Sequence, residues 1–211
     1  MLNNHIQTKF EKDIGNGTVS NDEFPFDWFY NYGYGATIYT REALGLCGKV
    51  RVKGLRFEFT RTDQTSAEIF TDQHLYLGQC DQDEFKTNVR NGMYQNPYNA
   101  NPGDGWLAIN ILPVKLNFTI DIPQGTAYHE ILFDDYYEYD PNKPGYPNLL
   151  VYWKNRRGNY EGLRGTPYVN CQSTGKFDTY YDNSDYLSMT DATAGTRDST
   201  GRPNIELIIE V

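Results

Sequence analysis

The sequence predicts an all-β fold, an antiparallel jelly-roll-like β-sandwich with long Tyr-rich loops. Three observations carry the prediction: the best apolar runs alternate with period two, one changes phase at a glycine, and one is apolar on both faces. The first run lies at 49–60. Val50 and Val52 alternate in one phase, then Leu55, Phe57 and Phe59 in the other. The slip falls at Lys53-Gly54, where one extra residue would make a β-bulge. A short strand follows at Leu75-Tyr76-Leu77-Gly78, and another is expected over 106–111. Between Pro113 and Pro123, Val114, Leu116, Phe118, Ile120 and Ile122 point one way and Lys115, Asn117, Thr119 and Asp121 the other. That is the pattern of a half-buried antiparallel strand. Leu149-Leu150-Val151-Tyr152-Trp153 is apolar on both faces and belongs in the middle of a sheet, covered from both sides. At the end of the chain Ile205, Leu207, Ile209 and Val211 face inward, with Asn204, Glu206 and Glu210 outward.

Clusters of Gly, Asn, Asp and Pro such as 96–105 separate these runs, and many short strands with long polar connections point to a sandwich. Two stretches read as unusual loops. Residues 22–35 carry Phe24, Phe26, Trp28, Phe29, Tyr30, Tyr32 and Tyr34; residues 134–146 carry Tyr136, Tyr137, Tyr139 and Tyr146 beside Asp134, Asp135, Glu138 and Asp140. No internal repeat or interdomain linker is visible. The expected organisation is an N-terminal arm over 1–13 and a single sandwich domain over 14–211.

The length of 211 residues suits one domain. The hydrophobic fraction is only 38%, but 18 Tyr, 11 Phe and 3 Trp are too many large side chains for a disordered chain. With 19 basic against 28 acidic residues the net charge is −9, so the basic footprint of a nucleic-acid binder is missing. No apolar run approaches the ~20 residues that cross a bilayer. The opening residues show neither the positive stretch nor the apolar core of a secretory signal. Cys47, Cys80 and Cys171 are odd in number and lack metal-type spacing. They are expected to be buried thiols in a chain folded in a reducing cytoplasm.

A series of short motifs then acquires meaning from its order. Ile14-Gly15-Asn16-Gly17-Thr18 is followed by Phe24-Pro25-Phe26, by Ile38-Tyr39-Thr40-Arg41-Glu42-Ala43-Leu44, by the strand Gly48 to Phe57 and by His74 to Gly78. Gly105-Trp106-Leu107-Ala108-Ile109-Asn110-Ile111, Phe133 to Tyr139 with Asn148-Leu149-Leu150-Val151, and Arg202-Pro203-Asn204-Ile205 complete it. Over about residues 14–211 the chain resembles a jelly-roll-like β-sandwich domain common in cell-surface and secreted proteins of Bacteroidetes. Members of that family are usually modules of long exported chains with a signal and a C-terminal sorting region. Neither is expected for this version, and a strand pair from Pro113 to Phe133 lengthens it. A copy of this kind is expected in a bacteriophage of such bacteria, assembled in the host cytoplasm into the virion. The resemblance therefore implies a non-enzymatic structural protein of the tail, collar or ring, fibre attachment or capsid decoration. Its partners would be other virion proteins or itself in a symmetric oligomer. The alternative is a carbohydrate-binding or adhesin module at the bacterial surface or on a phage, and the third reading is a glycoside hydrolase.

Residues that could carry chemistry are few. His5, His74 and His129 are the only imidazoles, and no Gly-x-Ser-x-Gly, His-Glu-x-x-His or P-loop pattern occurs. No catalytic residue, resident metal or cofactor is expected. Glycoside hydrolysis needs only two carboxylates brought together by the fold, for which Glu138 and Asp140 are the candidates. Calcium is the one cation considered, at 81–84 or 178–185, where acidic oxygen donors cluster in turns. Trp28, Tyr30, Tyr136 and Tyr137 are the candidate ligand or interface residues, because Trp and Tyr offer flat apolar faces with polar edges. The aromatic run around Trp28 has three readings: core packing, a subunit interface or a glycan platform. No nucleic acid and no membrane span are expected.

Overall fold

A computed structural model describes residues 9–22, 25, 30–62, 68–85, 108–157, 167–184, 196–198 and 201–210. In chain order the elements are β1 (Lys9–Ile14), β2 (Val19–Asn21), β3 (Tyr32–Tyr39), α1 (Arg41–Leu44), β4 (Val50–Arg61), β5 (Glu68–Cys80) and β6 (Ala108–Ile122). There follow β7 (Gly125–Tyr139), β8 (Asn148–Asn155), β9 (Tyr168–Gln172), β10 (Thr179–Ser184), β11 (Thr196–Asp198), β12 (Arg202–Pro203) and β13 (Ile205–Glu210). They form two antiparallel sheets packed as a sandwich. One has seven strands in the order β1-β13-β4-β9-β12, with β7 also on β4 and β2 also on β9; the other has six, β11-β10-β3-β8-β5-β6.

The apolar periodicities locate the core. Leu55, Phe57 and Phe59 of β4, Leu207 and Ile209 of β13, and Leu75, Leu77, Leu149, Val151 and Trp153 of the other sheet meet between the layers. Trp153 takes Phe57 and Phe118 edge-on, with ring centroids 5.5 and 5.3 Å away. A second apolar cluster lies on the other face of the six-stranded sheet: Tyr34, Ile38, Tyr76, Leu150, Tyr152, Tyr180 and Phe85 are all buried. Strand β8 therefore has apolar cover on both faces and lies between β3 and β5, as its two-faced sequence predicts. Polar side chains pin its ends. At one end the indole N–H of Trp153 donates to Gln73 Oε1 at 2.8 Å, while Gln73 Nε2 donates to Asn155 Oδ1 at 2.7 Å. At the other, Gln79 Nε2 donates to the carbonyls of Asp140 and Tyr146, both at 2.8 Å, and holds the turn that leads into β8.

The phase slip in β4 is a bulge. Val52 faces Ile209 on β13 while Gly54 faces Ile208, so Lys53 is the extra residue. Val50, Val52, Leu55, Phe57 and Phe59 all reach the core as a result. Gly54 also makes room: a Cβ there would lie 2.8 Å from the Ile131 carbonyl and 3.1 Å from Ile208 Cδ1. Gly17 is tighter still, since a Cβ would lie 2.1 Å from the Cys171 carbonyl. Asn204 holds that loop by reciprocal bonds, its Nδ2 donating to Gly17 O at 2.8 Å and its Oδ1 accepting from Gly17 N at 3.2 Å. Tyr39 closes the same end by donating to Pro203 O at 3.0 Å, under the guanidinium of Arg202.

Several expectations need correction. Residues 9–13, read as part of an arm, belong to β1, which pairs with β13 from Lys9↔Glu210 to Ile14↔Ile205. Residues 134–139 and 32–35 are strand rather than loop, because Tyr137 and Tyr139 continue the inward alternation of β7 and β3 is sandwiched between two partners. The runs expected at 106–111 and 114–122 are one strand, β6, which passes through Pro113 because an edge strand tolerates a missing N–H. Leu116, expected inside, is 39% exposed. Residues 106, 107 and 211 lie outside the described residues. Of the three thiols, Cys80 and Cys171 are buried but Cys47 is exposed; burial pushes the Cys80 thiol up to about 12.

Two outcomes follow for stability and reactivity. Gly54→Ala is expected to lower unfolding stability in urea by about 1–3 kcal/mol through overpacking. Gly48→Ala, with nothing within 4 Å of the added carbon, should stay within about 0.5 kcal/mol of the parent. A disulfide-exchange reagent should titrate Cys47 alone in the native protein and all three thiols after denaturation.

Candidate functional site

The β6–β7 hairpin carries the fold from one sheet to the other. Among the described residues β6 pairs with β5 alone and β7 with β4 alone, so both strands present an open edge on one flank of the sandwich. Their inward residues are core: Val114, Ile120 and Ile122 on β6, and Ile131, Phe133, Tyr137 and Tyr139 on β7. Their exposed residues include Leu112 (52% exposed), Leu116, Tyr128 (60%), Leu132 (48%) and Tyr136 (40%). Among the described residues the other exposed large hydrophobic side chains are Phe10, Val19 and Ile69. Ile69 lies opposite Asp121 of β6 and so borders the same flank.

Four register shifts interrupt the β5–β6 pairing, and two of them bracket His74. From Phe70↔Ile120 to Gln73↔Phe118 strand β5 spends an extra residue, and from Gln73↔Phe118 to Leu75↔Lys115 strand β6 does. The left-handed positions are Asp72 and Asn117, each with φ 51°, residue types that tolerate that conformation. The second bulge breaks the alternation that would have buried Leu116. His74 sits between them, its Nε2 2.9 Å from Asp72 Oδ1 and 3.0 Å from Asn117 Oδ1.

Tyr136 is where the sequence-derived candidates and the flank meet. The Arg51 guanidinium and Lys53 ammonium stand over its ring, 4.8 and 5.6 Å from the centroid. Beside it Lys9, Lys53, Leu132, Phe133 and Glu210 line a cleft of about 370 Å³. A second cleft of about 430 Å³ opens at the mouth between the sheets, lined by Lys49, Gln79, Leu112, Tyr137, Glu138, Asp140, Lys143 and Pro144. The nearby acids are tied to neighbouring strands. Glu138 pairs with Lys49 at 2.6 Å, Asp134 with Lys115, and Glu130 with Arg56 at 2.6 Å. Arg56 also holds Glu11 at 2.7 Å and Glu206, and these carboxylates raise its pKa further above the arginine range.

The other candidates fall elsewhere. Tyr137 is 2% exposed and packs in the core, where burial pushes its hydroxyl well above the ordinary tyrosine range. Tyr30 is half-buried at the opposite end of the sandwich, its carbonyl accepting from Asn155 Nδ2 at 3.2 Å. Trp28 lies outside the described residues. Glu138 and Asp140 do line one cleft, but Glu138 is in its ion pair and Asp140 Oδ1 accepts from Asn142 N at 2.9 Å. Of the acidic segments considered for calcium, 81–84 meets the residues just before Asp178: the Lys176 ammonium bonds Asp83, and Phe177 N donates to Glu84 Oε2 at 3.4 Å, while Asp185 lies outside the described residues. Among the described residues no three His, Cys, Asp or Glu side chains converge as a metal site, and no helix is long and apolar enough to cross a membrane.

Leu112, Leu132 and His74 were not singled out from the sequence. Leu132 had a signal, since Ile131-Leu132-Phe133 is three apolar residues in an alternating strand and one must face outward. His74 had none, because its partners are 2 and 43 positions away and meet it only through the bulges. No family model, curated protein or solved structure matches this chain.

His129 gives this flank a pH dependence. Among the described residues its buried Nε2 has no hydrogen-bond partner, and its ring lies 5.4 Å from that of Phe59. Burial lowers its pKa below the ordinary value of 6.5. The unfolded chain then binds the proton more readily, so this group's contribution to stability is complete above pH ~6.5 and falls as pH drops toward the lowered folded value. His129→Phe is expected to flatten the acid side of the stability profile, read by urea unfolding at pH 5 and 7.5. A profile as steep as the parent's would contradict this assignment.

Proposed function

We propose that the chain is a non-enzymatic assembly protein that docks its neighbours through the β6–β7 flank. One observation carries the reading: among the described residues, five of the eight exposed large hydrophobic side chains, Leu112, Leu116, Tyr128, Leu132 and Tyr136, lie on these two open-edged strands. Exposed apolar residues scattered singly are ordinary, but their concentration on two strands whose outer edges are unpaired among the described residues supports a docking surface. Tyr136 supplies the kind of aromatic anchor on which interfaces depend. The ion pairs of Glu130 and Glu138 hold charged side chains against their own sheet, and that of Asp134 with Lys115 ties β7 to β6, which leaves the apolar side chains to face a partner. The setting we propose is a virion of a bacteriophage, with the chain in its tail, collar, fibre attachment or capsid decoration. The motif order set out above supports that setting. The carbohydrate reading has less support, because a stacking sugar needs an open aromatic face and two cations already stand over Tyr136.

The test combines sedimentation and substitution. In lysates of the source culture, the chain should sediment with particles after a high-salt wash. Leu132→Lys with Tyr136→Ala should weaken that association by roughly tenfold or more, at unchanged melting temperature. A native chain that remains a lone monomer and stays out of particles would overturn the proposal.

A further inference from the structure

We propose that His74, Asp72 and Asn117 form a binding site for a divalent transition metal. The argument begins with convergence. Asp72 and Asn117 are the two non-glycine residues at positive φ among the described residues, and they stand on different strands. Both nevertheless direct a side-chain oxygen at the same atom, His74 Nε2, from 2.9 and 3.0 Å. A carboxylate oxygen and an amide oxygen are both acceptors, so in the metal-free protein one proton on Nε2 serves both. Replacing that proton by a metal ion uses all three atoms as ligands. Bonds of roughly 2.0–2.1 Å at right angles hold two ligands about 3.0 Å apart, which is the nitrogen-to-oxygen spacing already present.

The rest of the environment fits. His74 is 7% exposed, so its ring is held in place. Its Nδ1 lies 3.4 Å from the Tyr76 hydroxyl. When the metal takes Nε2, the ring proton moves to Nδ1 and is donated to Tyr76 Oη, the outer-shell bond that ligating histidines usually make. The proton stays on the ring. The Asp72 side chain is 44% exposed and Asn117 is exposed, so water can fill the open positions. Lys154, the cross-strand partner of His74, stands over the rings of Tyr76 and Tyr152 at 5.4 and 5.5 Å. An imidazole with one carboxylate and one amide suits zinc, nickel, cobalt or manganese and is a poor set for calcium.

The proposal is tested by calorimetric titration of the full chain, stripped with a chelator, using zinc and nickel chlorides, with calcium chloride as control. One saturable site is expected for the transition metals and none for calcium. Asp72→Asn retains a residue that tolerates the left-handed backbone and can still accept from Nε2–H, so the apo melting temperature should hold. Metal affinity should fall roughly tenfold or more, as it should in His74→Gln. His5→Ala should leave it unchanged. Absence of saturable binding, or binding that survives both Asp72→Asn and His74→Gln, would overturn the proposal.

Discussion

The structure depends on a strand that is covered on both faces. Every residue of β8 except Lys154 is buried. Its alternate side chains serve two different clusters: Leu149, Val151 and Trp153 the interior of the sandwich, and Leu150 and Tyr152 the outer face of the six-stranded sheet. Fully burying one large apolar side chain stabilises by roughly 1.5–3 kcal/mol, so a strand that does so on both faces anchors the sheet. A one-residue slip of β8 would exchange Trp153 with Tyr152 and break both clusters together. The Gln73–Trp153–Asn155 bonds oppose that slip, since each buried polar atom is satisfied only in this register.

The two outer faces are consequently unlike. The outer face of the six-stranded sheet carries an apolar cluster over β3, β8, β5 and β10, whereas the seven-stranded sheet carries a lattice of alternating charge. Lys9, Glu210, Arg51 and Glu138 follow one another across four strands, and Arg56 gathers Glu11, Glu206 and Glu130. Ion pairs at a sheet surface are screened by water and contribute little to stability, so their effect is mainly on register and on keeping that face hydrated. The β6–β7 flank is different again, with apolar residues outward on strands whose edges are open. The bulges at Asp72 and Asn117 belong to it, and they turn Leu116 outward while gathering donor and acceptor atoms around His74.

Much of the fold was legible because the relevant signals are local. Period two in 118–122 and 205–210, the two-faced run of β8 and the phase change at Gly54 all report side-chain direction directly, whereas the alternation of 114–118 is broken by a bulge at Leu116. What sequence reading missed depended on distant partners. Residues 9–13 look like an arm until β13 supplies their ladder, and 134–139 look like a loop because acids interrupt the apolar pattern until Lys115 and Lys49 neutralise them. Of the candidate site, Tyr136 was visible as an aromatic among acids, but Tyr137 beside it is core; adjacent tyrosines on a strand face opposite ways, and composition alone does not say which is outside. The His74 cluster had no signature in the sequence.

The central claim, that a rigid β8-centred sandwich presents the β6–β7 flank to its partners, is tested most directly by hydrogen exchange. The measurement compares the free chain with the chain in its assembled form. The amides of 148–155 should exchange at the slow global limit in both states, and those of 112–116 and 128–136 should gain protection only on assembly. An unchanged β6–β7 flank, with new protection confined to another surface, would contradict the account.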